Sequence, residues 1–598
     1  MASDPLFLPV GHTDEASASG GGSSELYSPF NGLFNPKTAA MMTAREAGWG
    51  KVGTTRTNPP EISVSKLTKA QFKDLSELEG SVTSIPLYLG LGGYIVKKDW
   101  DSALSLCAAI KNYIKQASKV ISPKTGKPLI KTGRGTYYAV VNAIEGYIKQ
   151  IKAGVEPFRN VTVRGQRVRK TLWESIWDSC LAVSGNVKLP FAAYSEMPVV
   201  TCPGAGSVSG KYGVLTGNAL GAATPNNTEN GCANWCYSIK AIAKPSFVAR
   251  MLITTLGMSL DPEKHVAAVT QKMIHESQRA KKPNILRLFV DGDFRDVNSI
   301  RLWMNACKEL HKHGIKVYGY SKSWENLVKA DKRFGRSVWA PNYVLNLSSG
   351  SRFGEAKKKE VAALPISRSE FVAVNPFLKL VEKAYQIDAI KKHGRAKGKA
   401  IGRVMANRVF SVYNKALDRD EEALRKAKSS RNRAAVAEAK RKVATLEQSM
   451  RDRLARMAPD LFNAWLDYEV QLQKIKSRAS SYNTSVAKAK REAGTRAEKI
   501  ITGKTTLFPG QVLQATTWKF LQLVKQSDEF ACPIDCGKCP RSAIADHDKS
   551  VNRLMKGEFN ELREEMKAVI EKKITLPAGT VHACGNARIK QKIIIGVH

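Results

Sequence analysis

The stretch ILRLFVDGDFRDVNSIRLWMNACKELHKHGIKVYGYSKS (residues 285–323) decides the fold of this 598-residue chain. It opens with a short apolar run that has the composition of a buried strand. A segment with apolar residues at helical spacing follows, and a second apolar run, IKVYGY, covers residues 315–320. A strand, a helix and a strand in succession indicate a right-handed βαβ unit and therefore a parallel sheet.

Further apolar runs extend this pattern on the C-terminal side. YVLNLS (residues 343–348) and EFVAV (residues 370–374) are predicted strands, separated from the first two by helical segments. KIIIGV, at residues 592–597, is predicted to be a last strand of the same core. The fold class is therefore α/β.

Polar side chains follow the first predicted strand, in the sequence VDGDF. In barrels and in open α/β sheets, the carboxyl ends of the strands carry the chemistry. Asp291 and Asp293 are therefore candidate catalytic residues, and Asp293 is also a candidate cofactor contact. A carboxylate here would hold the amino group of S-adenosylmethionine, a ribose hydroxyl or a second metal. The competing interpretation is a helix N-cap by Asp293 or Asp296.

The next two strands are also followed by polar residues. Lys322 is a third catalytic candidate, which would pair with a carboxylate or phosphate, and a solvated lysine is the equal alternative. Ser348 and Ser349 are candidate cofactor contacts in an anion-binding turn, with Arg352 as an assistant. His265 and His275 are interpreted as ordinary surface residues.

The net charge of the chain points to a polyanionic partner. Lys and Arg number 94 against 53 Asp and Glu, which gives +41, whereas 43% hydrophobic and 25% charged residues are ordinary for a globular protein. A positive field of this size makes nucleic acid the first partner to consider. A surface built only for solubility is the competing interpretation, although acidic residues serve solubility at least as well.

The sequence also bears on the compartment. It contains no apolar run of about 18 residues, so no membrane span is expected, and its first residues lack the features of a signal peptide. The ten cysteines are therefore expected in a reducing compartment, where clustered thiols indicate metal more often than disulfides.

Composition and periodicity divide the chain into five parts. We predict a disordered arm (residues 1–60), a basic and mainly helical region (61–195) and the first part of the α/β core (196–378). A basic helical insertion (379–504) and a cysteine-rich C-terminal part of the core (505–598) follow. In the helical region, the loop SPKTGKPLIKTGRG and the strand or hairpin VTVRGQRVRK are suited to gripping phosphates, and solvated loops are an equal alternative.

The insertion has the pattern of a coiled coil. Apolar residues at alternating steps of three and four run from Val436 to Tyr482 and include Leu454 and Leu461. Pro459 is expected to break the helix, which favours a helical hairpin. Residues 381–500 hold 29 Lys and Arg against 14 Asp and Glu. Dimerisation, nucleic-acid contact and a spacer role all remain open, so an oligomer through this segment is one expectation.

The ten cysteines fall into two classes. Three lie in helical or apolar segments, where a thiol is a small buried hydrophobe: Cys107, Cys180 and Cys307. Seven lie in loops beside Gly and Pro, in TCPGAG, GCANWCYS, ACPIDCGKCPRS and HACGN, and are candidate metal ligands: Cys202, Cys232, Cys236, Cys532, Cys536, Cys539 and Cys584. His582 is a weaker metal candidate.

We divide the seven ligands into a group of three and a group of four. Cys202, Cys232 and Cys236 would leave one cluster iron open to a small molecule, as an enzyme requires. The group from Cys532 to Cys584 would form a closed structural or electron-transfer set. A mixed grouping fits the count equally well, and spacing alone does not decide between zinc and one or two [4Fe–4S] clusters. The pair Cys536 and Cys539 also has the spacing of a redox dithiol.

Taken together, CPGAG, GCANWCYS, LRLFVDGDF, VYGYSKS and CPIDCGKCP resemble the bacteriophage gene product 88 family over residues 195–375 and 505–598. That family is similar to radical-S-adenosylmethionine-like phage proteins. The resemblance implies a phage origin and a partial or full βα barrel with an iron–sulfur centre. Two sets of residues become motif positions by this resemblance: the cysteines Cys202, Cys232, Cys236, Cys532, Cys536 and Cys539, and the run Gly292, Asp293 and Phe294. Gly292 is thereby a candidate cofactor contact. The C-x3-C-x2-C spacing of Cys532–Cys539 is that of radical-S-adenosylmethionine enzymes, but it stands after the core instead of after its first strand.

The expected function is an iron–sulfur enzyme that acts on or near nucleic acid during infection, with S-adenosylmethionine as a candidate cofactor. The rival is a non-catalytic zinc or iron–sulfur protein that binds nucleic acid or is packaged in the virion. The host cytoplasm is the expected location, with the virion as the alternative. The sequence names neither substrate nor reaction.

Overall fold

The computed structural model describes residues 85–118, 136–163, 166–183, 191–205, 238, 245–279, 284–348, 351, 353–374, 376–394, 433–470, 517–518, 520–526, 528–532 and 582–596, with short pieces between 397 and 423 and at 472–473. The disordered arm predicted for residues 1–60 lies outside these ranges. Among the described residues, no helix is both long enough and apolar enough to cross a bilayer.

The N-terminal region is helical, as the periodicity predicted, and ends in a hairpin. Its three helices are α1 (Ile85–Lys97), α2 (Trp100–Ala117) and α3 (Tyr137–Lys152). The predicted basic hairpin is confirmed as strands β1 (Phe158–Val163) and β2 (Gln166–Thr171), which pair in antiparallel fashion. Thr171 then begins α4 (Leu172–Ser179) with a capping box, because its side chain accepts from Glu174 N while Glu174 accepts from Thr171 N.

An alternation of strands and helices follows. In chain order the elements are β3 (Leu181–Ala182), β4 (Ala192–Tyr194), α5 (Pro245–Leu260), α6 (Pro262–Ser277), β5 (Ile285–Leu288), α7 (Val297–Lys312), β6 (Lys316–Ser321), α8 (Trp324–Phe334), β7 (Tyr343–Ser348), α9 (Gly354–Ala362) and β8 (Ser367–Val374). The remaining elements are α10 (Pro376–His393), α11 (Arg433–Met457), β9 (Glu529–Ala531) and β10 (Lys592–Gly596). The four core strands and the last strand expected from the sequence are all present.

The strands form one eight-stranded sheet in the order β3-β4-β5-β6-β7-β8-β10-β9. From β4 to β8 each strand pairs in parallel with the next, as it does in β10 with β9, whereas β3 and β4 are antiparallel. The α/β class and parallel sheet are therefore confirmed. The barrel expectation is wrong for the described residues, because β3 and β9 are end strands with one neighbour each and the sheet stays open.

The two faces of the sheet differ in chemistry. Leu286 and Leu288 of β5 belong to the main apolar core, together with residues of α7 and α8. Because side chains alternate along a strand, Arg287 lies on the opposite face, and it pairs in register with Tyr318 of β6. Tyr320 pairs in register with Asn346 of β7 on that same face. The second face is therefore polar.

Strand β5 is shorter than the apolar run that predicted it. It ends at Leu288 instead of Val290, because Phe289 takes a left-handed backbone with φ of 57°. A left-handed conformation is costly for a residue with a bulky side chain and interrupts an extended strand. Phe289 is nevertheless buried against Tyr194 and Trp303. The turn brings Asp291 and Asp293 to the edge of the sheet.

The chain divides into two compact units. The first contains Met1–Phe371 and Ala583–Lys590, and the second contains Val372–His582 and Gln591–His598. A short piece of the C-terminal region therefore belongs to the first unit, although the chain before and after it belongs to the second.

The second unit has its own apolar core, which uses part of the predicted coiled-coil seam. Helix α11 ends at Met457 and the helix resumes at Pro459, so the predicted break is confirmed. Arg451 donates two hydrogen bonds, of 2.8 and 2.9 Å, to the carboxylate of Glu469 across this break. Leu454 and Leu461 pack in a core inside the chain. A coiled coil stays a prediction.

Candidate functional site at the carboxyl edge of the sheet

Asp291 joins the end of β5 to two serines from other segments. Its buried carboxylate accepts hydrogen bonds from the side chains of Ser195 and Ser238. Burial raises the pKa of this carboxyl, although the hydrogen bonds and the charges of Arg287 and Arg250 act in the opposite direction. Asp291 thus fixes Ser238 at the carboxyl edge of the sheet.

Asp293 joins the ends of β5 and β6. Its Oδ1 accepts from Ser321 Oγ at 2.7 Å and from Phe294 N at 2.8 Å, and its Oδ2 accepts from Lys322 N at 2.7 Å. Burial raises the pKa of Asp293 against these lowering contacts. The N-cap of α7 is Asp296, whose side chain accepts from Ser299 N at 2.7 Å. Asp293 is therefore not a cap, and its carboxylate is occupied by donors of the protein.

Lys322 joins the ends of β6 and β7. Its Nζ donates to Ser348 Oγ at 2.8 Å, and its carbonyl oxygen accepts from Ser351 Oγ at 2.8 Å. Two of the predicted anion-binding residues, Lys322 and Ser348, therefore lie together. Ser349 and Arg352 lie outside the described residues.

The turn that carries Cys202 rests on the end of β6. A 3₁₀ turn, Pro203–Ala205, follows this cysteine directly. A Cβ atom on Gly204 would lie 1.7 Å from the carbonyl oxygen of Lys322, so only glycine allows this close approach. The half-buried Cys202 is thereby placed at the same edge as Asp293 and Lys322.

Backbone strain marks the approach to Cys202. Val199 has φ of 67°, a left-handed conformation that is costly for a β-branched residue, and its carbonyl accepts from Cys202 N at 3.1 Å. Strain of this kind is concentrated at functional sites. A residue with a left-handed backbone thus precedes both site segments: Val199 lies three residues before Cys202, and Phe289 lies two residues before Asp291.

Gly292 packs between the segment before Cys202 and the end of β5. Its φ is 83°, and a Cβ atom here would lie 2.8 Å from Thr201 Oγ1 and 2.9 Å from Glu196 Cβ. Both the backbone conformation and the close contacts require glycine. The structure thus gives Gly292 a packing function at a position that the sequence assigned to cofactor contact.

Cys584 lies on the polar face of the sheet. Its carbonyl accepts from Asn346 Nδ2 at 2.9 Å, and its thiol shares a hydrogen bond with Tyr320. Burial raises the pKa of this thiol, while Tyr320 and the charges of Arg368 and Arg287 oppose the shift. Arg368 Nε in turn donates to Asn346 Oδ1 at 2.7 Å.

Arg287 completes this face, since its guanidinium lies 4.8 Å from the centroid of the Tyr320 ring. Neither Arg287 nor Arg368 was predicted to be a functional residue. An arginine inside the otherwise apolar run ILRLFV is the signal that would have identified Arg287, whereas Arg368 stands among polar residues before the run EFVAV and carries no such signal.

A buried ionic network was also missed. Glu196 accepts from Arg295 Nε at 2.7 Å and from the Tyr194 hydroxyl at 2.9 Å. The same hydroxyl contacts His265 Nε2 at 2.8 Å. The interpretation of His265 as a surface residue is wrong, because it is fully buried, whereas His275 is exposed as expected. Helical periodicity does not reveal a polar partner on a distant strand.

The predicted metal ligands are described only in part. Cys202, Cys532 and Cys584 form no disulfide, and no group of three or more His, Cys, Asp or Glu side chains within the described ranges is arranged to hold a metal. Cys532 follows β9, and its N–H donates to Ile594 O at 2.8 Å. Four ligands lie outside the described residues: Cys232, Cys236, Cys536 and Cys539.

The three cysteines set aside by the sequence analysis are buried. Burial raises the pKa of Cys180 to about 12, and it raises the pKa of Cys107 and Cys307 further. A thiol that stays protonated is a poor metal ligand. Their interpretation as small hydrophobes is confirmed.

One family model matches the part of the chain that forms the carboxyl edge of the sheet. Neither a curated protein nor a solved structure matches the chain. Residues 170–397 match the family described as Gene product 88. The matched segment contains strands β3 to β8 together with Cys202, Cys232, Cys236 and the VDGD sequence. The resemblance to the bacteriophage gene product 88 family is thus confirmed over residues 170–397.

Proposed function

We propose that Cys202, Cys232 and Cys236 bind a metal centre at the carboxyl edge of the sheet. The protein would then be a radical-S-adenosylmethionine-like iron–sulfur enzyme of a phage, acting on or near nucleic acid in the host cytoplasm. The observation that supports this proposal is that Gly204 packs on Lys322 and Ser238 bonds to Asp291 at the same edge, since Cys202 and Cys236 each stand two residues before one of these anchors in the sequence.

The two anchors restrict where the thiols can be. Cys202 lies two residues before Gly204, which contacts the end of β6. Cys236 lies two residues before Ser238 in the sequence, and two extended residues span at most about 7 Å. Cys232 stands four residues earlier in the same segment. The turn after Cys202 is therefore held at the end of β6, and Ser238, two residues after Cys236 in the sequence, is held near the end of the neighbouring strand β5.

The proposed chemistry follows from three ligands on a four-iron cluster. A bound iron–sulfur cluster with three thiolate ligands supplies electron transfer next to one open coordination site. The chain positions the ligands and keeps the surrounding edge rigid through Asp293, which fixes the ends of β5 and β6 to each other. Cys532, Cys536 and Cys539, which all belong to the second unit, are the proposed ligands of a second centre.

A second candidate is a non-catalytic zinc or iron–sulfur protein that binds nucleic acid or is packaged in the virion. The saturation of Asp293 favours it, because a carboxylate that already accepts three hydrogen bonds is poorly placed to bind S-adenosylmethionine. In this version the metal stabilises the edge of the sheet. The charge of +41 supports nucleic acid as the partner in both versions.

Metal content after anaerobic purification tests the first centre. Cys202→Ala, Cys232→Ala and Cys236→Ala are each expected to lose metal, measured as metal per chain by elemental analysis. Cys307→Ala is the matched control, because this thiol is buried in α7, and it should retain the wild-type content. Wild-type protein without metal, or three variants that all keep it, would contradict the proposal.

The identity of the metal separates the two candidates. Brown protein that contains iron and binds S-adenosylmethionine supports the enzyme. Colourless protein with zinc, together with salt-sensitive binding of nucleic acid, supports the non-catalytic candidate. Cys532→Ala tests the second centre separately, because this variant should lose the metal of the second centre while Cys202, Cys232 and Cys236 keep that of the first.

A further inference from the structure

The β1–β2 hairpin is a two-stranded sheet separate from the eight-stranded sheet. Its register places Asn160 opposite Arg169 and Arg159 opposite Lys170. Directly opposed residues of an antiparallel pair share a face, and residues two apart on one strand share it also. Asn160, Arg167 and Arg169 therefore lie on one face of the hairpin, and Arg159 and Lys170 lie on the other.

One of these faces is directed toward the helices. The side chain of Arg159 forms a hydrogen bond with Tyr147 of α3. Lys170 forms an ion pair with Asp178 of α4. We call this the inner face, and its two cations are already engaged by the protein.

The outer face consists of Asn160, Arg167 and Arg169, which are all exposed. No carboxylate within the described ranges pairs with either arginine. The guanidinium of Arg169 lies 3.9 Å from the centroid of the Phe158 ring. This contact restricts the motion of the guanidinium, so less entropy is lost when it binds an acceptor.

We infer that the outer face binds double-stranded DNA, with the hairpin in the major groove. This inference rests on the nucleic-acid part of the proposed function. The major groove is about 12 Å wide and admits a two-stranded β-ribbon. Arginine pairs with guanine and asparagine with adenine through two hydrogen bonds each, and both residue types are on this face. The two unpaired charges also favour contact with phosphates.

Binding of the full-length chain to a short fluorescent DNA duplex, followed by anisotropy at several salt concentrations, tests the inference. Arg167→Gln with Arg169→Gln should weaken binding at least about tenfold and reduce the slope of log affinity against log salt by about two. Lys329→Gln with Lys332→Gln is the matched control, since it removes two exposed charges from α8 of the same unit. It should bind almost as the wild type does.

Two further variants separate charge from base recognition. Arg167→Lys with Arg169→Lys keeps both charges but removes the two-pronged contacts, so it should retain affinity and lose preference among duplex sequences. Asn160→Asp puts a carboxylate on the same face and should weaken binding with little effect on folding, which covers the case of an unstable arginine variant.

The possible failures are distinguishable. If the wild type binds no DNA, the inference fails together with the nucleic-acid part of the proposed function. A second outcome is that the wild type binds DNA, but Arg167→Gln with Arg169→Gln binds it as tightly as the control Lys329→Gln with Lys332→Gln. In that case only the assignment of the hairpin as the binding surface fails. Tighter binding of single-stranded RNA than of the duplex by the wild type would also overturn it.

Discussion

Arg295 donates a 2.7 Å hydrogen bond from Nε to Glu196 Oε2, and both side chains are buried. Arg295 also donates from Nη1 to Ser259 Oγ at 2.7 Å and from Nη2 to the Thr255 carbonyl at 3.1 Å. Glu196 follows β4, Arg295 precedes α7, and both serine and threonine lie on α5. One ion pair therefore holds three elements together beneath the carboxyl edge of the sheet.

Breaking this pair should destabilise the fold. Glu196→Gln leaves the buried guanidinium of Arg295 without its carboxylate, and removal of one partner of a buried pair costs about 3–5 kcal/mol. The midpoint of urea unfolding should fall accordingly. Glu309→Gln, which removes the exposed ion pair with Lys312, is the control and should leave the midpoint unchanged. Equal midpoints for the two variants would contradict the assignment.

Stability should depend on pH through His265. Burial, and secondly the charge of Arg295, lower the pKa of His265 to about 3. The unfolded chain takes up this proton near about pH 6.5, and the folded chain does not, so the contribution to stability is complete above that pH and is lost as the pH falls.

The variant His265→Gln tests this dependence. Between about pH 7 and about pH 5, the free energy of unfolding of the wild type should fall by about 2 kcal/mol relative to the variant. Urea unfolding at both pH values measures it. His275→Gln, at an exposed position of the same helix, should follow the wild type. Parallel pH profiles for the wild type and His265→Gln would refute the buried neutral histidine.

Substitution of Gly204 should detach the turn that follows Cys202. A methyl group would overlap the carbonyl oxygen of Lys322, and backbone cannot move aside as a flexible side chain can. Gly204→Ala should therefore lower both thermal stability and metal per chain. Gly146→Ala in α3 meets no atom within 4 Å and is the control. Normal metal content in Gly204→Ala would show that this contact does not position Cys202.

Asp293 should behave as a structural residue. In Asp293→Asn, an amide NH2 group replaces one of the two carboxylate oxygens, which accept from Ser321 Oγ and Lys322 N. A donor then faces a donor, which should lower the free energy of unfolding by about 1–3 kcal/mol. Metal bound per chain should stay at the wild-type level. The opposite result, unchanged stability with lost binding of S-adenosylmethionine, would restore the cofactor role predicted from the sequence.

Leu454 should affect stability and leave the oligomeric state unchanged. It is buried in the core of the second unit, so Leu454→Ala should cost about 2–5 kcal/mol. Val470→Ala, at an exposed position, is the control. Light scattering should give the same mass for both variants and the wild type. A change in mass confined to Leu454→Ala would assign this part of the seam to an oligomer.

Local patterns predicted the elements well because each depends on its own residues. The apolar runs at residues 343–348 and 592–597 gave β7 and β10, and Pro459 gave the helix break. The end of β5 was misplaced, because the left-handed Phe289 is held by tertiary contacts with Tyr194 and Trp303. The open sheet was missed since closure depends on the pairing of strands distant in sequence.

The candidate site was predicted unevenly for the same reason. Asp291, Asp293 and Lys322 were found from their positions after strands, and the structure places all three at one edge. Only the folded chain shows that serine side chains and backbone groups already form hydrogen bonds with these three residues. The partnership of Glu196 with Arg295 joins residues far apart in sequence, which no local pattern reveals.

The assignment of residues 583–590 to the first unit has a consequence for biosynthesis. The ribosome makes these residues after residues 372–582 of the second unit, yet the backbone carbonyl of Cys584 accepts a hydrogen bond from Asn346 Nδ2 of the first. Until residues 583–590 have been made, Asn346 and Arg368 lack the backbone carbonyls of Cys584 and Ile589 as hydrogen-bond acceptors.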